Sequence, residues 1–450
     1  MPLQTKGFSN AQLPLRAHRQ TSPAPMKHLI RTIRSSALAQ NTGWMFGGFG
    51  LQILVQAIYF VLIARTLGAG QYGAFVAVVA LASIAAPFSG LGSVNLLVKN
   101  VSRDRSLLPT YWGNGLLITC ATGLGLFVVV LLAAHLALPE SVPFACVVLV
   151  SVADLVLAKL SQLAIFGFQA VEKMHVAAQL QVSTSLFRLA GIVLLKFFFR
   201  HPNAEDWALV YLVATGLTTL LASGVAWAYA GSPRLALSRI GPEFVEGIYF
   251  ATSLSAQTIY NDIDKTMLAR MATLDAAGIY AAAYRIIDVS FTPIRSLLNA
   301  AYPRFFKHGE GGIHVAASFG LRLIRPASLY SLLAGLAMVV GAPLLPRILG
   351  AQFTEAAEAL RWLALLPLMK SIHYFLGEAL TGAGYQGTRM SMHVTVAVFN
   401  VLINLWIIPA YGWRGAAWSS LASDGLLALL MFAGVQARAR MDRRPDRATA

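Results

Sequence analysis

One pattern constrains this chain more than any other. Stretches of about 20 mostly apolar residues, the length a helix needs to cross a bilayer, recur along nearly its whole length. The linkers between them run mostly 5 to 20 residues, which leaves no room for a sizeable soluble domain. Composition agrees: 12% of the residues are charged, against about 25% in soluble proteins. Twelve windows qualify as spans: 44–64, 72–97, 113–135, 142–167, 175–199, 207–230, 244–269, 276–302, 324–346, 357–382, 388–410 and 413–437. The windows 175–199 and 244–269 are unusually polar. The expected fold class is an all-α integral membrane protein.

The linkers set the orientation. Residues 1–43 hold six basic residues and no acidic ones, with no signal-peptide pattern, and read as a cytoplasmic basic tail attracted to anionic headgroups. With that tail inside, the even-numbered linkers and both termini collect 22 Lys and Arg. The opposite side holds five: Arg65, Arg200, Arg270, Arg347 and Arg414. The asymmetry follows the positive-inside rule. The net charge of +16 is therefore mostly topology and implies no nucleic-acid partner. Cys120 and Cys146 lie in apolar runs and suggest neither a disulfide framework nor a metal site. Trp44, Trp112, Trp207 and Trp413 lie near span ends, where an interfacial belt is expected.

An internal repeat is visible. Ile63-Ala-Arg-Thr-Leu-Gly-Ala-Gly-Gln-Tyr-Gly-Ala-Phe75 aligns with Leu268-Ala-Arg-Met-Ala-Thr-Leu-Asp-Ala-Ala-Gly-Ile-Tyr280 at an offset of 205 residues. Arg65 meets Arg270, Gly73 meets Gly278, and Phe75 meets Tyr280; Pro87 and Pro293 follow at almost the same offset. Each copy joins the first two spans of a six-span half. Six is even, so the halves are parallel, related by an axis along the membrane normal. The expected organisation is a tail 1–43, a bundle 44–230, a cytoplasmic linker 231–243, a second bundle 244–437 and a basic tail 438–450, with the two six-helix bundles facing a central cavity.

Charges within the spans are the functional signal. Lys159, Arg188, Lys196, Lys265, Arg285, Arg295, Arg361 and Lys370 are basic; Asp154, Asp262, Asp264, Asp288, Glu378 and Asp424 are acidic. At roughly 2.5–3.5 kcal/mol each at mid-bilayer, such groups facing lipid would exceed the whole stability of a protein, about 5–15 kcal/mol. Lys196 and Arg361, near span ends, can snorkel to the interface. The others should face protein or water.

Helical spacing arranges them in stripes. On the eighth span Tyr284, Arg285, Asp288, Thr292, Arg295, Ser296 and Asn299 share one face. On the seventh, Ser253, Gln257, Tyr260, Asn261 and Asp264 do so, with Lys265 at the edge and Asp262 pointing roughly the opposite way. Gln181, Thr184, Ser185 and Arg188 form a third stripe, and Asp154, Ser161 and Gln162 a short fourth. Several polar faces in one chain argue for a hydrated cavity. Each has a plainer reading: Asp264 and Lys265 could be part of an interhelical ion pair that only fixes packing, Arg285 and Asp288 could neutralise each other on one helix, and Asp154 and Lys159 could be a local pair. Arg295 and Arg188 have no acid one turn away and suit an anion better. Lys370, His373 and Glu378 line the cavity's second half or end near an interface, while Asp424 suits a proton site or a packing contact equally.

Enzyme chemistry is not indicated. The chain lacks a Gly-rich phosphate loop with Gly-Lys-Ser/Thr, its nine histidines form no metal-ligand pattern, and its external linkers are too short for a catalytic polymerase or ligase loop.

The segments Arg65-Thr-Leu-Gly-Ala-Gly-Gln-Tyr-Gly73, Asp264-Lys-Thr-Met-Leu-Ala-Arg-Met-Ala-Thr-Leu-Asp-Ala-Ala-Gly-Ile-Tyr280, Ala283-Tyr-Arg-Ile286 and Leu298-Asn-Ala-Ala-Tyr-Pro-Arg-Phe-Phe-Lys307 resemble the polysaccharide-transporter (O-antigen flippase) branch of the multidrug/oligosaccharidyl-lipid/polysaccharide (MOP) exporter superfamily. The resemblance covers residues 40 to 437. It implies two six-helix bundles opened alternately to each side. The implied cargo is an undecaprenyl-pyrophosphate-linked oligosaccharide, carried from the cytoplasmic to the periplasmic leaflet of a bacterial inner membrane. The family's cavity is cationic and its seventh helix often carries an acid; Asp264 and Arg285 fall at the matching places. Twelve spans rather than fourteen argue against its peptidoglycan-precursor flippases.

The reading that results is a flippase without a catalytic residue, metal or organic cofactor. Arg188, Arg285 and Arg295 would hold the pyrophosphate, with Lys265, Asn261 and Asn299 completing the cavity. Asp264, Asp288 and Asp154 would serve coupling or gating, with H+ or Na+ as the coupling ion. Its partners would be the lipid-linked oligosaccharide, the bilayer and other polysaccharide-assembly membrane proteins. The rivals are a cation-coupled exporter of small molecules on the same fold, a membrane-embedded polymerase or ligase, and a non-transporting scaffold.

Overall fold

A computed structural model describes residues 37–236 and 240–442. Most of the 1–43 tail, part of the 231–243 linker and residues 443–450 lie outside the described residues. Helix dominates throughout, and no strand occurs among the described residues. The first half comprises α1 (Ala37–Ala85), α2 (Ser93–Val101), α3 (Leu108–Ala137), α4 (Phe144–Val152), α5 (Ala158–Ala170), α6 (Met174–Phe198) and α7 (Ala204–Ala230). The second comprises α8 (Ile240–Met271), α9 (Leu274–Gly309), α10 (Ile313–Gly341), α11 (Leu345–Leu349), α12 (Thr354–Leu363), α13 (Leu366–Gly382) and α14 (Gln386–Asp442).

Two of these contain a reversal rather than one rod. The chain turns at Gly68 (φ 73°, ψ 175°) within α1 and at Gly412 (φ 56°, ψ −135°) within α14. Positive φ is open to glycine at little cost because it lacks a Cβ. Helix covers each of the twelve windows. Seven stretches among the described residues are long and apolar enough to cross a membrane, and they take in nine of the windows. The three windows left out fall on α8, α9 and α12–α13. These are the helices that carry Asp264, Arg285 and Lys370. Helices α8 and α9 are polar and pack against apolar helices of both halves, while α12 and α13 are short, 10 and 17 residues, and pack within the second half.

Helix α1 packs on α6 within its own half and on α8 and α9 of the other. Helix α8 also packs on α14, and α13 lies between α10 and α14. The largest apolar core runs across both halves, joining Ile63, Phe75 and Trp207 to Leu268, Tyr280 and Phe353. It lies near the turns at 65–71, 271–274 and 347–353, where further bonds cross between the halves. Arg65 donates from Nε to Ile348 O (2.6 Å) and from Nη2 to Arg347 O (2.5 Å). Its repeat partner Arg270 donates from Nη1 to Leu138 O (3.4 Å) in the first half. Gln352 Oε1 accepts from the Ala69 amide (3.0 Å), just past the Gly68 turn.

The fourth span is not uniform α-helix: a π-turn at Ala153–Leu157 joins α4 to α5. Such a turn disrupts the regular hydrogen-bond ladder, and carbonyls here bond outward. Ser89 Oγ donates to Leu155 O and Thr219 Oγ1 to Leu157 O (2.8 Å), as the interior of a membrane protein requires.

The tryptophans correct the belt expectation in part. Trp112, Trp207 and Trp413 are 2%, 0% and 4% exposed. Trp207 packs edge-on against Phe75, and Trp413 Nε1 donates to Glu355 (2.5 Å). A large ring near a helix end fills the gap between diverging helices as readily as it faces headgroups. The Trp44 side chain lies outside the described residues. Lys196 and Arg361 are exposed near the ends of α6 and α12, as snorkelling requires.

Candidate functional site

The polar helices of the second half enclose a cavity of about 240 Å³. Helix α8 contributes Asn261 and Asp262, α9 contributes Tyr284, Arg285, Asp288, Phe291 and Arg295, and α13 contributes Lys370 and Tyr374. The residues of α9 recur at three- and four-residue spacing, so one face of the helix forms a whole wall.

Lys370 is the most deeply set cation, 4% exposed. Its Nζ donates to Tyr284 Oη (2.6 Å) and to Asn261 Oδ1 (3.0 Å), both uncharged. The Lys265 ammonium bonds instead to the Asp262 carboxylate beside it on α8. Both ammonium groups lie over the Tyr284 ring, at 4.7 and 4.8 Å from its centroid, where the ring's negative face attracts cations. Arg285 Nη2 donates to Gln56 Oε1 of α1 (3.2 Å), which brings the first half to the cavity's edge. Among the described residues Arg285, Arg295 and Asp288 form no ion pair within 4.0 Å. With the Asp262–Lys265 pair neutral, Arg285, Arg295 and Lys370 face one carboxylate, Asp288. The cavity suits an anion.

Arg285 also borders a second space. An apolar crevice of about 210 Å³ opens between α1 and α9, lined by Phe60, Val61, Ile286, Val289 and Leu349 as well as Gln56 and Arg285. A polar chamber and an apolar slot thus share one guanidinium.

The seventh-span stripe requires correction. Asp264 does not line the cavity: it is 0% exposed and bonded by Tyr280 Oη, Ser420 Oγ (3.2 Å) and the Lys265 amide (2.9 Å). Gln257 donates to Tyr374 Oη (2.8 Å). The Ser253 side chain lies outside the described residues. That face is turned largely into the second bundle, where polar groups of other helices bond Gln257 and Asp264 but leave the buried Tyr260 hydroxyl without a partner among the described residues. Asp262, expected to point away, borders the cavity together with Asn261, whereas Lys265 lies outside the lining and is paired with Asp262. Spacing locates a polar face but not the neighbour that satisfies it.

Arg188 and Asp154 lie in the first half, away from this cavity's lining. Tyr211 Oη donates to Asp154 Oδ1 (2.7 Å) and accepts from Arg188 Nη2 (3.0 Å), with the guanidinium 4.3 Å from the ring centroid. The Arg188 Nε is buried without a partner among the described residues. The plainer readings fail among the described residues: Arg285 with Asp288 and Asp154 with Lys159 make no side-chain ion pair within 4.0 Å, and instead of an interhelical ion pair Lys265 takes Asp262 of its own helix while Asp264 is bonded by Tyr280 and Ser420. Asn299 is exposed on α9 beyond Arg295 and outside the lining. Lys370 and Gln56 complete the arrangement although no stripe marked them. For Lys370 the sequence left open the cavity's second half or an interface, and the adjacency of α13 to α9 places it in the cavity.

Comparisons with known proteins agree with this architecture. A family model described as Polysaccharide biosynthesis protein matches residues 38–308, more than half of the chain. The probable low-salt glycan biosynthesis flippase Agl15 of Haloferax volcanii is 22% identical over 378 residues, covering 82% of this chain and 76% of that protein. Among solved structures, an inward-facing multidrug resistance MATE family transporter of the MOP superfamily superposes with a TM-score of 0.72 at 14% identity, covering 88% of this chain and 96% of the other. The lipid II flippase MurJ, in an inward closed conformation, does so with a TM-score of 0.69 at 11% identity, covering 88% and 87%. The fold is that of the MOP superfamily, and these relatives are flippases and transporters, not enzymes.

Proposed function

The chain belongs to the polysaccharide biosynthesis protein family, and from that premise we propose that it flips a lipid-linked oligosaccharide across its membrane by alternating access. The observation that carries this reading is the double position of Arg285, which borders both the cationic cavity and the apolar crevice. An amphipathic cargo has the same division. Its phosphate or pyrophosphate would meet Arg285, Arg295 and Lys370, whose bonds to an oxyanion are charge-assisted and stronger than neutral ones. Asn261, Tyr284 and Tyr374 would face the first sugars, and the isoprenoid would lie in the crevice and the bilayer.

Twelve spans with both termini in the cytoplasm remain the topology of this reading, and a bacterial inner membrane with an undecaprenyl-pyrophosphate carrier its setting. Arg188 and Asp154 brace the first bundle through Tyr211 rather than hold the phosphate. Asp264, buried among Tyr280 and Ser420, is a gating carboxylate whose partners exchange as the halves tilt, and a H+ or Na+ gradient drives the cycle. Other polysaccharide-assembly membrane proteins would supply and consume the cargo.

The test is transfer of undecaprenyl-pyrophosphate-linked oligosaccharide between leaflets of vesicles containing the purified protein. The wild type should equilibrate the lipid. The variant Arg285→Gln/Arg295→Gln, present at the same level, should not. Transfer at the wild-type rate by that variant would overturn the assignment.

A further inference from the structure

Behind Lys370 lies an ionisable pair that the cavity does not use. His373 Nε2 meets Asp424 Oδ1 at 2.8 Å, and the two side chains are 1% and 2% exposed. His373 lies one turn from Lys370 on α13; Asp424 is on the second arm of α14. A buried ion pair is poor value as a stabiliser, since desolvation cancels most of the attraction. The surroundings are nevertheless furnished with uncharged polar groups: Asn400 donates to Ser423 (3.0 Å) and Asn404 to Asn400 (3.1 Å).

We infer that His373 and Asp424 form a proton-binding site whose occupancy is linked, through the charge of Lys370, to occupancy of the cavity by an anion. With one proton, whether on the imidazole or the carboxyl, the pair is neutral overall. Without it, a single negative charge remains in a dry interior, which is costly unless a cation compensates. Lys370 is that cation only while the cavity is empty, because its protein partners there, Tyr284 Oη and Asn261 Oδ1, carry no charge. An anion that neutralises Lys370 removes the compensation, and the pair then takes up a proton from water. Cargo binding and proton binding favour one another, and the linkage is reciprocal.

The other groups around the pair do not duplicate this role. Tyr374 stacks on His373 at 4.8 Å and Tyr260 of α8 lies edge-on at 6.4 Å. His393, on the first arm of α14, lies beyond the Tyr260 ring, at 5.9 Å from it. Arg389, on the same arm, is engaged by Glu378 (3.1 Å) and Thr381 (2.8 Å). Asp264 is bonded to Tyr280 and Ser420, and Asp262 is neutralised by Lys265. Asp288 and Arg285 face the cavity from α9. Lys370 is the cation nearest the pair in sequence, and its partners leave its charge to the cavity.

The proposal rests on the anion-binding reading of the cavity, and one experiment separates the two. Farnesyl diphosphate binding to the full-length protein in detergent is measured calorimetrically in buffers of different ionisation enthalpy, which counts protons taken up. The wild type should take up about one proton more per diphosphate than His373→Gln/Asp424→Asn, and its affinity should weaken roughly 5–150-fold as the pair is deprotonated. Diphosphate binding with equal proton uptake in both proteins would overturn the linkage and leave the cavity reading intact. No binding by the wild type would overturn the cavity reading itself. A ligand-induced infrared difference spectrum of the wild type needs no variant. It should contain carboxyl or imidazole protonation bands, and their absence would equally refute the proposal.

Discussion

Gly73 and Gly278 meet backbone to backbone where the halves cross. A Cβ on Gly73 would lie 1.8 Å from Leu274 O and 2.9 Å from Gly278 N; one on Gly278 would lie 2.0 Å from Ala69 O and 3.1 Å from Gly73 N. The contacts are reciprocal, because the offset of 205 residues that aligns the glycines also aligns Ala69 with Leu274. The repeat seen in the sequence is thus an interface with itself, arranged about a pseudo-two-fold axis.

The first prediction follows from that crossing. Gly73→Ala or Gly278→Ala must push two backbones apart, an overpacking that costs about 1–3 kcal/mol. Each should lower the thermal midpoint of the purified protein and reduce its yield. Gly125→Ala, with nothing within 4 Å of the new methyl, should stay within about 0.5 kcal/mol of the wild type.

A second concerns the arginines of the same repeat. Arg65 and Arg270 each donate to backbone carbonyls of the opposite half. Removing both should favour separation of the halves at that end by roughly 1–3 kcal/mol. With Cys120 and Cys146 replaced, a cysteine at position 349, where Leu349 is 2% exposed, should be labelled by an impermeant reagent several-fold faster in Arg65→Ala/Arg270→Ala. Unchanged labelling would show that these bonds do not hold the end closed.

The cavity's charge balance supplies a third. Lys370 has only neutral partners and Lys265 has Asp262, so the two lysines should differ in consequence. Lys370→Gln should weaken farnesyl diphosphate binding roughly 10- to 100-fold, in the range of charge-assisted contacts. Lys265→Gln should act mainly by exposing Asp262, and Lys265→Gln/Asp262→Asn should recover most of the loss. A double-mutant cycle with no coupling would refute this.

A fourth uses the two tyrosines that bond Asp154 and Asp264. Tyr211→Phe strips the bridge between Arg188 and Asp154, and Tyr280→Phe leaves Asp264 to Ser420 and its own backbone. Each should destabilise by about 1–3 kcal/mol, measured as a lower melting temperature. In the vesicle assay Tyr280→Phe should slow transfer more, because Asp264 sits at the crossing of α8, α9 and α14.

Much of this was legible in the residues. The wall of α9 could be read from Tyr284 to Arg295 because five polar residues at helical spacing leave little choice of face. The α8 stripe was equally regular, yet most of it turned inward. Gln257, Asn261 and Asp264 share a face whose hydrogen-bond partners are Tyr374, Lys370, Tyr280 and Ser420 on other helices. Periodicity is a property of one helix; whether its polar face meets water or another polar face is a property of a pair.

The sequence by itself determined the solvent, the class and the symmetry of this protein. Apolar runs of bilayer length demand helices whose backbones bond internally, and a repeat at 205 residues demands two similar halves. Tertiary structure alone decided which charges share a space. Lys370 joins Arg285 and Arg295 while Arg188 and Asp264 are drawn into separate bundle interiors, because a charge in a low-dielectric interior takes the nearest group that compensates it. In a packed bundle that group usually belongs to a different helix.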